Sequence, residues 1–334
     1  MTKYDATLIL TRSELKSLMN LEDYLEGIEN AFKAHGEGLS YGTDMIHGST
    51  PSDLEFHIKS GGLPINSRRY YGLKINSSCF TNKEKMGLPN IQGAILLFDG
   101  VSGFPLAIID SIEPTIMRTG AGTAVALKYL ADPKSHTITI CGCGNQGKIQ
   151  LRFAKSILPL TKAYVYDLSA DIAEEFSREM ACQLNIKILS TSDIKNAISN
   201  SQVVITCTPS KKPYVKNGYL QPGATLAAVG ADTPDKQEIE EQLFKNNKIV
   251  TDILLQCQKA GEIHHALMHE VITITDVYAE IGEIVAGRKP GRENESEIII
   301  YDSTGTALQD TAAASICFEK AISQKKGRYI NLAG

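Results

Sequence analysis

Apolar positions along the chain follow two different periods. Leu21, Tyr24, Leu25, Ile28, Ala31 and Phe32 recur at helical spacing and stop at Gly36, which predicts an amphipathic helix. Ahead of it, residues 7–10 read as a short strand, and Thr11 or Ser13 is placed to cap the helical stretch. From 42 to 110 the apolar residues fall in short runs broken by Gly and Pro. Glu55–Lys59, Tyr70–Ile75, Gly93–Phe98 and Leu106–Asp110 are the expected strands, no helix is expected, and the stretch should form an antiparallel or mixed sheet of its own.

Beyond about residue 112 the period alternates. Helices are expected over Ala121–Leu130, Gln146–Ile157 and Ser169–Ala181, the last capped by Ser169, with strands Thr137–Cys141 and Ala163–Asp167 between them. Ile186–Leu189, Val203–Thr206, Thr225–Val229, Lys248–Asp252 and Glu297–Tyr301 continue as β-rich runs, and Thr306–Gln324 closes as a helix. Strands separated by helices of this length indicate βαβ units and a doubly wound parallel sheet of Rossmann type. The expected fold is therefore α/β, a Rossmann domain at 116–309 and a smaller α+β domain. The final helix returns to the smaller domain, making it discontinuous (1–115 with 310–334).

Composition narrows the class. The 334 residues are 43% hydrophobic and 22% charged, with 34 Lys and Arg against 38 Asp and Glu, a net charge of −4. Such a chain carries no electrostatic footprint for nucleic acid. No apolar run approaches the ~18 residues of a membrane span, and the first residues lack the apolar core of a secretory signal. Seven cysteines, an odd number in a long chain, fit a reducing compartment, so a cytoplasmic protein is expected.

The sharpest local signal is Thr137-Ile-Thr-Ile-Cys-Gly-Cys-Gly-Asn-Gln-Gly147. Gly142, Gly144 and Gly147 match G-x-G-x-x-G between a β-branched strand and a helix, with Asn145 and Gln146 inside the loop. The first glycine permits the tight turn, the second admits a pyrophosphate, and the third packs helix on strand. The unpaired N–H groups and positive dipole end of the helix then face the phosphates. Asp167 ends the next strand, where a carboxylate accepts the ribose hydroxyls and repels a 2′-phosphate, so NAD(H) is expected as cofactor. Cys141 and Cys143 read as small loop residues, and His265 and His269, one helical turn apart, as a solvated helix face; no metal site is expected.

Further strings occur together. These are Lys74 in Tyr71-Gly-Leu-Lys-Ile, Arg118 and Thr119 in Ile116-Met-Arg-Thr-Gly-Ala-Gly-Thr-Ala124, and Val229-Gly-Ala-Asp-Thr-Pro-Asp-Lys-Gln-Glu238. With Gly282-Glu-Ile-Val-Ala-Gly287, Asp302-Ser-Thr-Gly-Thr-Ala-Leu-Gln-Asp310 and the glycine loop, they resemble the ornithine cyclodeaminase/mu-crystallin family from about residue 8 to 325. The resemblance implies an NAD(P)-dependent homodimer acting on a small amino or imino acid. The alanine dehydrogenase or ketimine reductase type leads; ornithine cyclodeaminase, an opine-type dehydrogenase and a dinucleotide binder without turnover remain alternatives.

The candidate site residues answer to one chemical problem: hydride moves at an α-carbon while a carboxylate is held and a proton is moved. Arg118 suits the carboxylate, because its planar fork makes two parallel hydrogen bonds, and a cation is out of place at the helix start expected there. Lys74 sits in an apolar strand where alternation leaves open whether it faces outward or inward; the resemblance implies substrate contact. Asp232 follows a strand at the end where open α/β sheets place ligands, as a base or as the cap of an Asp-Thr-Pro turn. Thr119 and Lys236 are assigned to support the cofactor, and Thr206 and Thr208 to line its pocket. The family commonly has an additional Arg before the Lys74 strand, yet no Arg occurs from Ser13 to Ser67. His47, His57 and Lys59 are the replacements at hand, His47 being assigned to substrate.

Overall fold

The computed structural model describes residues 6–50, 54–79 and 81–332. They divide into two compact units, one running through Arg118 and resuming at Thr306, the other Thr119–Gly305. By this division Arg118 and the first turn of the last helix fall in the first unit, where the sequence set the boundaries at 115/116 and 309/310. No helix among the described residues is long and apolar enough to cross a membrane.

The first unit is built on a seven-stranded sheet from β1 (Thr7–Leu10), β2 (Tyr41–Ser49), β3 (Glu55–Ile65), β4 (Arg68–Ser78), β5 (Ile91–Asp99), β6 (Pro105–Asp110) and a last strand, Arg328–Ile330. Spatially the order is Arg328–Ile330, β1, β6, β5, β4, β3, β2. Only the β1–β6 pair is parallel. The β3–β4 hairpin turns through Asn66 and Ser67, both at positive φ (46° and 66°). Two such residues make the tight turn whose twist matches paired strands, and so short a loop pins the register. That register sets Lys59 directly opposite Lys74.

Helices α1 (Arg12–Leu18) and α2 (Leu21–Gly36) follow β1, and the C-terminal helix Ala307–Ser323 packs on α2, β3, β4 and β5. Along β4, Tyr70, Gly72, Lys74, Asn76 and Ser78 are buried in alternation. The C-terminal helix lies close to the sheet because glycine lies beneath it. A Cβ on Gly72 would stand 2.2 Å from Thr311 Oγ1, and one on Gly61 3.2 Å from the Ala307 Cβ. Thr311 Oγ1 also donates to the Gly61 carbonyl at 2.9 Å.

The second unit holds eight parallel strands: β7 (Thr137–Cys141), β8 (Lys162–Tyr166), β9 (Lys187–Ser190), β10 (Val203–Thr206), β11 (Thr225–Ala228), β12 (Lys248–Thr251), β13 (Val277–Glu280) and β14 (Ile299–Asp302). Their order is β13-β12-β14-β11-β10-β7-β8-β9. The chain winds outward from β7 in one direction and then resumes at β10 in the other. The β7/β10 boundary is thus the reversal point where such sheets bind ligands. β7, β10, β11 and β14 are buried at every position, as expected of central strands covered on both faces.

The expected α/β architecture with its Rossmann-type sheet is present; the departures are local. The 12–36 stretch is two helices, capped by Thr11 and Asn20. β2 was not expected, because its Gly, Asp and His residues hide the alternation. A five-residue helix, α3 (Asn82–Met86), stands in the stretch expected to hold none. Helix α4 (Ile112–Leu130) starts well before the expected Ala121, because Pro114 falls in its first turn, where the missing N–H costs nothing. Arg118 therefore lies inside a helix and not at its start, and the dipole argument for its role does not apply.

Gly72→Val should displace the C-terminal helix, costing about 1–3 kcal/mol and lowering the thermal midpoint. An unchanged midpoint would contradict this packing.

Candidate functional site

In the first unit three buried cations gather at one carboxylate. Lys74 (3% exposed) and Arg118 (5%) both reach Asp310 (2%). Lys74 Nζ lies 2.6 Å from Asp310 Oδ2, and Arg118 Nε donates to Oδ1 at 2.9 Å. Arg118 Nη1 donates to Gln309 Oε1 at 2.8 Å. The C-terminal helix positions these acceptors. Its N-cap, Thr306, exchanges hydrogen bonds with Gln309 in a capping box, which orients Gln309 toward Arg118. Asp310 sits in the first turns of that helix, where the dipole favours negative charge.

The electrostatics follow from burial. Desolvation brings the Lys74 ammonium down to about 7; Asp310 pulls it up, while Arg118 and Lys59 push it down. Burial alone would raise the Asp310 carboxyl, but Arg118 and Lys74 outweigh it and hold it below the usual range. Lys59, opposite Lys74, is buried as well. His47 is exposed on β2, its ring edge-on to His57 with centroids 4.8 Å apart.

The second unit carries the glycine loop. Gly142 adopts φ 104°, and a Cβ there would meet the Cys207 carbonyl and Thr208 Cγ2 at 3.0 Å. A Cβ on Gly147 would lie 2.0 Å from the Gly142 carbonyl oxygen, so the helix can approach the strand only with glycine. Gly144 differs: a Cβ there meets nothing within 4 Å. It caps helix α5 (Asn145–Ile157), so Gly144, Asn145 and Gln146 border open space at a helix N-terminus, the cradle a diphosphate would fill. Asp167 Oδ2 accepts the Cys143 N–H at 2.9 Å, and Oδ1 accepts that of Ser169, the cap of α6 (Ala170–Leu184). A pocket of about 360 Å³ opens beside it, lined by Tyr166, Asp167, Leu168, Glu174 and Ser190 among others. The donors and the acid fit a dinucleotide.

The remaining assigned residues lie in the same unit. Thr206 ends β10 and is buried; Thr208 donates through both its N–H and Oγ1 to Glu238 Oε1 at 2.7 Å. Glu238 is buried, also accepts Tyr214 Oη and the Gly230 N–H, and its carboxyl is raised by desolvation. Asp232 Oδ1 and Lys236 Nζ are 2.6 Å apart, and Thr119 lies half-buried in α4. His265 Nε2 bonds the Lys236 carbonyl, and His269 Nδ1 bonds Glu241, so the two imidazoles turn to separate partners.

Sequence reasoning assigned no role to Asp310 or Glu238, although both end strings that carried the resemblance. Asp310 is 236 positions from Lys74 along the chain, and no local pattern links them. The signal that could have found it was a charged residue at the start of an Ala-rich, largely buried helix.

Comparison with known proteins bears on this arrangement. The family model for the ornithine cyclodeaminase/mu-crystallin family matches residues 5–325. An alanine dehydrogenase of Archaeoglobus fulgidus is 36% identical over 97% of this chain and 98% of its own. A solved archaeal alanine dehydrogenase dimer with bound NAD superposes with a TM-score of 0.92, at 35% identity over 98% of this chain and 99% of that one. The Thermococcus litoralis Delta(1)-pyrroline-2-carboxylate reductase, solved with NADH and L-proline, gives 0.91 at 31% identity, covering 97% and 100%. The chain belongs to the ornithine cyclodeaminase/mu-crystallin family.

Proposed function

We propose that the protein is an NAD(H)-dependent oxidoreductase acting at the α-carbon of a small α-amino or α-imino acid. The carrying observation is the buried Lys74–Asp310–Arg118 cluster. It pairs a guanidinium with a lysine that titrates near neutrality, which is what holding a carboxylate while moving a proton requires. The named activities of the relatives, alanine dehydrogenase and pyrroline-2-carboxylate reductase, support the same reading.

Bound nicotinamide supplies or accepts the hydride; the rest is done by side chains. Gly142, Gly144, Asn145, Gln146 and Gly147 would hold the diphosphate, and Asp167 the adenosine ribose. Arg118 spends Nε and Nη1 on Asp310 and Gln309, while Nη2 has no bond to any described residue and is assigned to the substrate carboxylate. Near pH 7 both protonation states of Lys74 Nζ are populated. It can give a proton to an imine nitrogen in reduction and recover it in oxidation. Asp232, oriented by Lys236, is assigned as a second proton acceptor for the substrate amine.

We also infer a homodimer. Ile46, Ile58, Ile75 and Ala94 stand in one cross-strand row on the sheet face turned from the C-terminal helix. Ile46 is 60% and Ile75 36% exposed, an apolar surface suited to a second copy. The seven free thiols fit a reducing cytoplasm.

NADH, ammonia and a panel of 2-oxo acids and cyclic imines should give NADH oxidation with at least one substrate, and with NADPH less well. Lys74→Ala should cut kcat by about 100-fold or more with NADH affinity kept. A near-normal rate in that variant would overturn the role of Lys74. Because Asp310 raises Lys74, Asp310→Asn should move the corresponding limb of the kcat/KM pH profile below about 7; an unmoved limb would contradict the coupling. Ile46→Asp with Ile75→Asp should convert a dimer to monomer in sedimentation, and a persisting dimer would refute this interface.

A further inference from the structure

Glu238 is a fully buried carboxylate whose hydrogen-bond partners among the described residues are all neutral. Burying a charge is costly unless hydrogen bonds replace its water, and here four donors from three segments do so. Oε1 accepts the Thr208 N–H and Oγ1 at 2.7 Å each and Tyr214 Oη at 2.6 Å, while Oε2 accepts the Gly230 N–H at 3.0 Å. Thr208 comes two residues after β10 and Gly230 two after β11. One carboxylate thus joins the segments that leave two neighbouring strands, at the ends where an open α/β sheet binds its ligand.

The acid is itself held in place. Glu262, also buried, accepts the N–H groups of Glu238 and Ile239 at 2.7 and 3.1 Å, and the Glu238 carbonyl accepts those of Tyr214 and Val215. Two neighbours inherit its position. Thr208 is the first: a Cβ on Gly142 would stand 3.0 Å from Thr208 Cγ2, so this residue abuts the turn of the glycine loop. The segment 230–238 is the second. The Gly230 N–H bond closes it end to end, and a Cβ on Gly230 would lie 2.4 Å from Glu238 Oε2, so the closure needs glycine. Asp232 and Lys236 lie within the closed segment.

We propose that Glu238 is a positioning residue, whose carboxylate ties the loop after β10 to the loop after β11 and so sets both the Thr208 wall of the dinucleotide cradle and the placement of Asp232. The inference rests on the reaction proposed above, in which Asp232 accepts a proton, and it gives Glu238 no contact with the reacting atoms. The two oxygens divide the work: Oε1 serves the cofactor wall and Oε2 the Asp232 segment. A glutamine has one acceptor oxygen and one NH2 end, so it can keep one set of bonds and not both. With its oxygen on the three donors of Thr208 and Tyr214, its NH2 meets the Gly230 N–H, and the closure opens.

The test compares Glu238→Gln and Glu238→Ala with the wild type by NADH fluorescence titration, by kcat on a substrate from the panel above, and by amide hydrogen exchange. Glu238→Gln should bind NADH within about threefold of the wild type and lose about tenfold or more in kcat. Its amides over 230–237 should exchange faster while the strands β7 and β10 stay protected. Glu238→Ala should show the same loss in kcat and also weaken NADH binding by about tenfold. A Glu238→Gln protein with wild-type kcat, or one whose exchange quickens uniformly over 119–305, overturns the proposal, as does equal NADH binding by the two variants. The kcat and exchange readings need only Glu238→Gln, so they decide the matter even if Glu238→Ala does not fold. If the wild type turns over no substrate, the reaction reading alone fails. Faster exchange confined to 230–237 in Glu238→Gln then supports the role of Glu238, and unchanged exchange overturns it.

Discussion

Burying a cation is costly, and two buried cations beside each other cost more unless an anion is supplied. Asp310 is the anion that lets Lys74 and Arg118 exist inside the first unit. It bridges them with separate oxygens and stays ionised between them, and it sits where a capped helix start favours its charge. Two cations facing one carboxylate favour a carboxylate-bearing ligand, and burial, with Arg118 and Lys59 adding to it against the pull of Asp310, brings Lys74 into the range where a proton can move near neutral pH.

The architecture serves this arrangement through close approach. Glycines at 61 and 72 let the C-terminal helix lie against the sheet, so that Asp310 reaches Lys74 on β4. The same device recurs in the second unit, where Gly147 lets α5 approach the Gly142 turn and leaves the space beside Gly144 open. In both units the small residue removes a barrier, and a helix start then supplies the polar groups. One unit favours an anion through charged side chains, the other through backbone N–H groups.

The glycine loop, the strands around it and Asp167 were legible in the sequence because each role is local, a few residues from its neighbours. Lys74 was legible as an anomaly, a charge in an apolar run, but its direction was not, since alternation marks two faces without saying which is covered. Arg118 was assigned on a helix start that lies elsewhere: the helix begins at Ile112, and Pro114 sits harmlessly in its first turn. Asp310 was invisible as a partner because only the return of the last helix brings it to β4. Lys59 was noticed only as a substitute cation; its pairing with Lys74 depends on a hairpin register set by a turn too short and polar to show in the apolar pattern.

The central claim is that a carboxylate ligand joins a buried lysine that is mostly neutral just above neutrality, and it can be tested by counting protons. Titrating a small carboxylate into the NADH-loaded protein at about pH 8, in buffers of different ionisation enthalpy, measures the protons taken up on binding. The account predicts uptake of a large fraction of one proton, because the ligand's charge restores the Lys74 ammonium, and loss of that uptake in Lys74→Met. Binding without proton uptake, or uptake that persists in the variant, would contradict it.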